Sequence, residues 1–172
     1  ISAEKPLQLL NYLTRRRGML TSNVGEAYGF VRSDPDLAQP DVELIFAPAP
    51  FYDEGIGEPY PRDAVAMGPI LVKPKSTGTI RLASADPLAK PIIDPHYLSD
   101  PEDLRILLDG ARFLHRLAAT PTLSGVIDAA IRPGPEATDE EAHVASIRAN
   151  AYSVFHPCGT CRMGPDANDA VV

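Results

Sequence analysis

The sequence has no tryptophan, and its 172 residues contain only two cysteines, Cys158 and Cys161. Two cysteines three positions apart do not form the disulfide framework of a small secreted domain, so a reducing cytoplasm is the expected location. The chain also lacks an apolar run long enough to span a membrane, and its first residues lack the regions of a signal peptide. Its net charge of −7 argues against nucleic acid as a partner, because such binding depends on basic patches.

No internal repeat and no alternation of strands with helices is visible, whereas proline is abundant. Eighteen prolines predict many rigid turns and a loop-rich fold. A chain of 172 residues, 44% of them hydrophobic, is long enough to form one domain with a real core.

Strand patterns lie in the first half of the chain. They cover Ala27 to Arg32, Asp41 to Pro48 with its alternating apolar residues, Val65 to Leu82, and Pro91 to Asp94. We expect Val65 to Leu82 to form a hairpin with Lys73 to Gly78 as its turn. Pro50 to Asp63, rich in proline, glycine and aromatic residues, is either a lid over a pocket or a surface loop.

Helical patterns dominate the second half. The clearest helix has Asp100 as N-cap and Pro101 at its first position. Its predicted core stripe consists of Leu104, Leu107, Leu108, Ala111, Leu114 and Ala118. Further helices are predicted over residues 3–16 with a stop at Gly18, over Leu123 to Ile131, and from the capping box Thr138-Asp-Glu-Glu141 to about Asn150. This order favours an α+β fold with a mainly antiparallel sheet backed by helices on one side.

The densest run of reactive side chains is Asn150 to Gly164. In it, His156 can move a proton near neutral pH, and Pro157 restricts the backbone beside it. Val154 and Phe155 predict a short apolar strand whose end presents the imidazole. The alternative is a buried turn in which the histidine only satisfies a hydrogen bond.

Cys158 and Cys161 offer another interpretation of the same run, as a C-x-x-C redox or metal pair. Gly164-Pro165 would stop the helix that lowers the pKa of a redox thiol, which disfavours a thioredoxin-like pair. A structural zinc needs four ligands, and only His156 lies nearby, so no metal site is predicted.

The run also resembles a family signature. His156-Pro-x-Gly-Thr-x-x-Met-Gly164 is similar to the motif that carries the active-site histidine in glucose–methanol–choline (GMC) oxidoreductases, which are FAD-dependent enzymes. Other segments resemble the family in its own order, most closely its choline-dehydrogenase-like members: Leu20-Thr-Ser-Asn-Val-Gly-Glu26, Val72-Lys-Pro-Lys-Ser-Thr-Gly-Thr-Ile-Arg-Leu82, Ile93-Asp-Pro-His-Tyr-Leu-Ser-Asp-Pro101 and Cys161-Arg-Met-Gly164. Two positions depart from the family: Phe155 stands where tyrosine is common, and Cys158 where an aliphatic residue is common.

The resemblance implies a function and a site. Residues 1–172 would be one substrate-binding domain with the same antiparallel sheet and helices, and a small-molecule alcohol would be the substrate. His156 would be the catalytic base that accepts the alcohol proton while hydride passes to the flavin. Val154, Phe155 and His156 would contact the FAD, and Val154 and Phe155 would line the substrate pocket. Glu26 is a candidate for holding a cationic substrate, with a cap or salt bridge as the alternative.

The family's FAD-binding fingerprint, Gly-x-Gly-x-x-Gly, does not occur in the chain. We therefore expect a fragment that lacks the FAD-binding domain and the C-terminal crossing segment with the family's second active-site residue. Such a fragment would bind no FAD alone and be inactive. It would bind the FAD-binding domain of the same or a split polypeptide, or self-associate through the face bearing Val154, Phe155 and His156. The alternatives to an oxidoreductase domain are an inactive stand-alone fragment that binds no flavin and a C-x-x-C redox or binding module.

Overall fold

The structure is a computed structural model that describes residues 5–50, 60 and 62–165. The elements in these residues follow the order α1 (Pro6–Arg15), a 3₁₀ turn (Met19–Thr21), β1 (Ala27–Val31), β2 (Val42–Ala47), β3 (Ala66–Leu71), β4 (Thr79–Arg81), β5 (Ile92–Asp94), α2 (Pro101–Ala118), α3 (Pro121–Ser124) and α4 (Glu140–Asn150). The segment predicted to be a lid or surface loop, Pro50 to Asp63, lies largely outside the described residues.

A three-stranded antiparallel sheet of order β1-β2-β3 carries the core. In the central strand β2, Val42 and Leu44 are buried at alternate positions and pack with Ile106 and Leu114 of α2. Gly110 permits this close approach, because a Cβ there would lie 2.6 Å from the Cβ of Pro69 in β3. The predicted α+β architecture, an antiparallel sheet backed by helix, is therefore confirmed.

The hairpin predicted over Val65 to Leu82 is wrong. β3 pairs with β2, whereas β4 forms a separate two-stranded sheet with β5, in which Ile80 lies opposite Ile93. Between β3 and β4 the chain leaves the first sheet and passes the start of α2. Hydrogen bonds from this segment to α2 outweigh the local turn preference on which the hairpin prediction was based.

Helix α2 begins where its capping residues predict, since the Asp100 side chain accepts a hydrogen bond of 2.8 Å from the Glu102 N–H. Its buried residues are Asp103, Ile106, Leu107, Leu108, Gly110 and Leu114. The predicted core stripe is correct for Leu107, Leu108 and Leu114, whereas Leu104, Ala111 and Ala118 are only half-buried. The prediction omitted Ile106 and Asp103, so the buried face is rotated from the expected one.

The smaller helices differ from prediction at their ends. α1 ends at a left-handed Arg16 (φ 53°), two residues before the predicted stop at Gly18. The helix expected over Leu123 to Ile131 is wrong, because α3 is a single turn that ends before Gly125. The N-cap of α4 is Asp139, whose side chain accepts from the Ala142 N–H, and not Thr138 of the expected capping box.

Apolar side chains remain exposed on several elements of the described residues, among them α1 and β1. On α1, Leu7, Leu10 and Leu13 are largely exposed. On β1, Val31 packs toward α2, so Tyr28 and Phe30 lie on the opposite sheet face, where they meet edge to face. None of the helices in the described residues has the length and apolarity needed to cross a bilayer.

Candidate active site

His156 lies in a turn and not at the end of a strand. Its backbone N–H donates to the Ser153 carbonyl oxygen at 2.9 Å, and the Phe155 N–H donates to Ser153 Oγ at 3.2 Å. Val154 and Phe155 have φ values of 51° and 62°. Such values are incompatible with a strand, and they are rare for a β-branched or bulky side chain. The predicted Val-Phe strand is therefore wrong, and residues 153–159 are called the histidine turn below.

The histidine turn displays the three residues predicted for the site. The His156 side chain is exposed, Phe155 is 67% exposed and Val154 is half-buried. The interpretation of this region as a buried turn is thus wrong. Consecutive left-handed residues at such a place are strained, and strain of this kind concentrates at functional sites.

The far end of the histidine turn rests on residues 75–78, called the docking loop below. The Gly78 N–H donates to the Gly159 carbonyl oxygen at 3.0 Å. Gly159 has a φ of 92°, and a Cβ there would lie 2.9 Å from the Ser76 carbonyl oxygen. Only glycine combines this backbone conformation with so close an approach.

The docking loop is bound to the start of α2 by a buried carboxylate. Asp103 accepts hydrogen bonds of 2.8 Å from the backbone N–H groups of both Lys75 and Ser76. In return, Ser76 Oγ accepts from the Asp100 N–H at 3.1 Å. Asp103 was not among the residues predicted for the site, although its spacing from Leu107 and Gly110 places it on the buried face of α2.

The two cysteines are free and exposed. No helix follows Cys161 as far as Pro165, the last described residue, so the pair lacks the adjoining helix of a thioredoxin-like site. Within the described part of the chain, no three or more His, Cys, Asp or Glu side chains form a group that could hold a metal ion. The arrangement therefore gives no support to a redox or metal centre at the C-x-x-C pair.

The histidine turn and the docking loop both lie in the region matched by a known family. A model described as GMC oxidoreductase matches residues 74–172, which is more than half of the chain. The chain belongs to the GMC oxidoreductase family. The resemblance stated from the segments around His156 is thereby confirmed, and the family uses FAD.

Two curated relatives illustrate the match. An uncharacterised GMC-type oxidoreductase of Mycobacterium bovis is 51% identical over 99% of this chain and 33% of its own length. An alcohol dehydrogenase [acceptor] of Pseudomonas putida is 40% identical over 95% of this chain and 29% of its own length. The chain thus spans about a third of the length of the curated relatives it matches.

The fold of this GMC chain is also found in solved structures. A formate oxidase of Aspergillus oryzae, in a structure concerned with the modification of its FAD, aligns with a TM-score of 0.74 and 25% identity. The alignment covers 95% of this chain and 33% of the oxidase.

The residues of the GMC chain fit one end of an FAD molecule. The exposed Phe155 and the half-buried Val154 would suit packing against the flat face of an isoalloxazine ring, beside which a proton-transfer group such as the exposed imidazole is useful. The 172 residues contain no glycine-rich fingerprint for a pyrophosphate. The side chains of the histidine turn are thus compatible with a flavin ring, whereas these residues offer no such motif for the phosphates.

Proposed function

We propose that residues 1–172 form the substrate-binding domain of an FAD-dependent alcohol oxidoreductase, with His156 as the base that takes the proton of the alcohol O–H. The observation that carries the proposal is the exposed imidazole on a hydrogen-bonded turn with two left-handed residues. The membership of a family that contains an alcohol dehydrogenase supports the same reaction class.

The chemistry assigned to His156 is general base catalysis. A neutral ring nitrogen accepts the hydroxyl proton, the alcohol oxygen gains negative charge, and the adjacent carbon becomes a better hydride donor. FAD, when bound, takes up that hydride, so the alcohol loses one proton and one hydride and becomes a carbonyl compound. The backbone hydrogen bonds of the histidine turn fix the main chain that carries the imidazole.

Val154 and Phe155 are assigned the wall of the site. Their positive φ angles turn both side chains out of any regular strand, and Phe155 offers an apolar surface that is 67% exposed. An apolar wall next to the imidazole excludes water from the reacting carbon and strengthens electrostatic interactions at the site.

The reaction class can be tested without steady-state kinetics. We expect the complete flavoprotein containing these residues, mixed without oxygen with a series of primary alcohols, to lose the absorbance of oxidised flavin. The matched control is the methyl ether of each alcohol, which keeps the carbon skeleton and lacks the O–H that His156 deprotonates. Bleaching by ethers as fast as by alcohols, or by no alcohol at all, would contradict the proposal.

Choline is proposed as the first alcohol for this series. The choline-dehydrogenase-like segments of the sequence favour it, and Glu26 supplies a candidate carboxylate for its cationic group. Glu26 is exposed, and its backbone N–H donates to the Phe46 carbonyl oxygen at 3.1 Å, which fixes it at the start of β1. The neutral analogue 3,3-dimethylbutan-1-ol has the same shape without the charge, and a preference for choline over it would reveal recognition of the cation.

The 172-residue chain alone is proposed to be inactive and to bind no FAD, because it contains no pyrophosphate-binding fingerprint. After incubation with FAD and gel filtration, the protein fraction should be colourless.

The exposed Phe155 of the histidine turn is proposed to promote self-association of the 172-residue chain. Sedimentation would detect this self-association, and Phe155→Ser would weaken it. A monodisperse monomer would contradict the proposed self-association, and stoichiometric flavin in the protein fraction would contradict the expectation that the chain alone binds no FAD.

A further inference from the structure

We propose that Asp103 is a positioning residue for His156: its buried carboxylate holds the docking loop, and the docking loop holds the histidine turn. The inference deepens the proposed function and gives a task to a residue that the reaction itself does not use. Its structural part is independent of the chemistry assigned to His156.

The first contact in this arrangement is the carboxylate itself. Asp103 is only 1% exposed, and its two oxygens accept separately from the N–H groups of Lys75 and Ser76, both at 2.8 Å. Two consecutive N–H groups directed at one carboxylate fix the orientation of the peptide unit between them. Because ionised acceptors form the stronger hydrogen bonds, this pair determines the path of the docking loop.

A reciprocal bond holds the docking loop from the other side. Ser76 is 6% exposed, and its Oγ accepts from the Asp100 N–H at 3.1 Å. The start of α2 therefore gives one hydrogen bond to the loop and receives two from it. Neither α2 nor the docking loop can shift relative to the other without breaking a buried hydrogen bond.

The docking loop transmits its position to the histidine turn by direct contact. The hydrogen bond from Gly78 to Gly159 joins the two segments, and the Ser76 carbonyl oxygen lies 2.9 Å from the position that a Cβ of residue 159 would take. On its other side, the space for a Cβ at Gly78 is filled by the Asp94 carbonyl oxygen, only 2.1 Å away. A close-packed loop of this kind transmits displacement to its neighbours and does not absorb it.

The test compares Asp103→Asn with Asp109→Asn. Asparagine at position 103 keeps the shape but turns an N–H₂ group toward a backbone donor. Asp109 lies on the same helix, and its carboxylate pairs with the side chains of Arg105 and Arg112, which are residues of α2 and not of the docking loop. Hydrogen–deuterium exchange read by mass spectrometry would be measured in the 172-residue chain and in the complete protein that contains it.

We expect Asp103→Asn to raise exchange in peptides of both the docking loop and the histidine turn by about tenfold, relative to peptides in the middle of α2. Asp109→Asn should change neither. Unchanged exchange of the histidine turn in a folded Asp103→Asn protein would overturn the inference. If that variant does not fold, Asp103→Glu, which keeps the charge but moves the carboxylate by one methylene away from the Lys75 and Ser76 N–H groups, must raise exchange of the histidine turn, and its failure to do so would overturn the inference equally.

Kinetic measurements distinguish a positioning role of Asp103 from a purely stabilising role. In the complete flavoprotein, Asp103→Asn should lower the kcat of alcohol oxidation by about 10- to 100-fold, with KM changed less than about threefold. A purely stabilising Asp103 would leave the kcat per folded, flavin-loaded molecule unchanged, and that result would overturn the inference. The two proposals can fail separately. If Asp103→Asn raises exchange of the histidine turn but His156→Ala has normal turnover, Asp103 still positions the turn, and the proposed function is refuted instead.

Discussion

Replacement of His156 by alanine is expected to lower alcohol turnover in the complete flavoprotein by about 10²- to 10⁴-fold, the usual contribution of a general base. The alcohol must then lose its proton to water, whose position and basicity are not set by the protein. FAD should stay bound in normal amount, because the imidazole is not assigned to hold the phosphates. Stopped-flow measurement of flavin reduction, with the flavin content measured alongside, provides both values.

The control for this variant is His115→Ala. His115 is an exposed histidine near the end of α2, and its ring lies 5.4 Å from that of His143 in α4, outside the histidine turn. Its loss should leave flavin reduction within about twofold of normal. Near-normal reduction in His156→Ala, or an equal loss in His115→Ala, would refute the assignment of the base.

Gly78→Ala is expected to give the largest loss of stability, lowering the free energy of unfolding by about 3 kcal/mol. A Cβ at this position would lie 2.1 Å from the Asp94 carbonyl oxygen and 2.5 Å from the Pro95 carbonyl carbon. Both neighbours are backbone atoms, so no rotation of a side chain can relieve the overlap. Urea unfolding of the wild-type and variant chains measures the difference.

Gly68→Ala is the matched control. Gly68 lies in β3 opposite Ile45, and a Cβ there would meet no atom within 4 Å. Alanine should therefore change the free energy of unfolding by less than about 1 kcal/mol, with a small gain expected because glycine is unfavourable within strands. Equal losses in the two variants would show that the approach of Gly78 to Asp94 is not the source of the destabilisation.

The parts of the fold set by local chemistry were predictable from the sequence. Asp100 and Pro101 predicted the start of α2 because a cap acts within one turn of its helix. Alternating apolar residues predicted β2 because the strand period is local too. The hairpin prediction failed since the path of the docking loop depends on Asp103, a hydrogen-bond acceptor far along the chain.

The candidate site, like the fold, was predicted from the sequence only in part. The motif around His156 identified the segment, and the family match confirms the family to which that motif belongs. The motif did not predict the left-handed conformations of Val154 and Phe155, which depend on hydrogen bonds to Ser153 and on the position of Gly159 against the docking loop. Asp103 was missed because an acidic residue near a helix start normally complements the helix dipole in solvent.

The hydrogen bond between Gly78 and Gly159 also has a consequence for the order of folding. The docking loop and Asp103 are 27 to 28 residues apart. The bond from Gly78 to Gly159 closes about 80 residues of chain, from 78 to 159, which costs more entropy and takes longer. During synthesis, the surface that receives the histidine turn is therefore complete before the turn itself arrives. On heating, we expect the histidine turn to detach from the docking loop before the rest of the domain unfolds. Catalytic activity should therefore be lost at temperatures at which α2 and the three-stranded sheet are still intact.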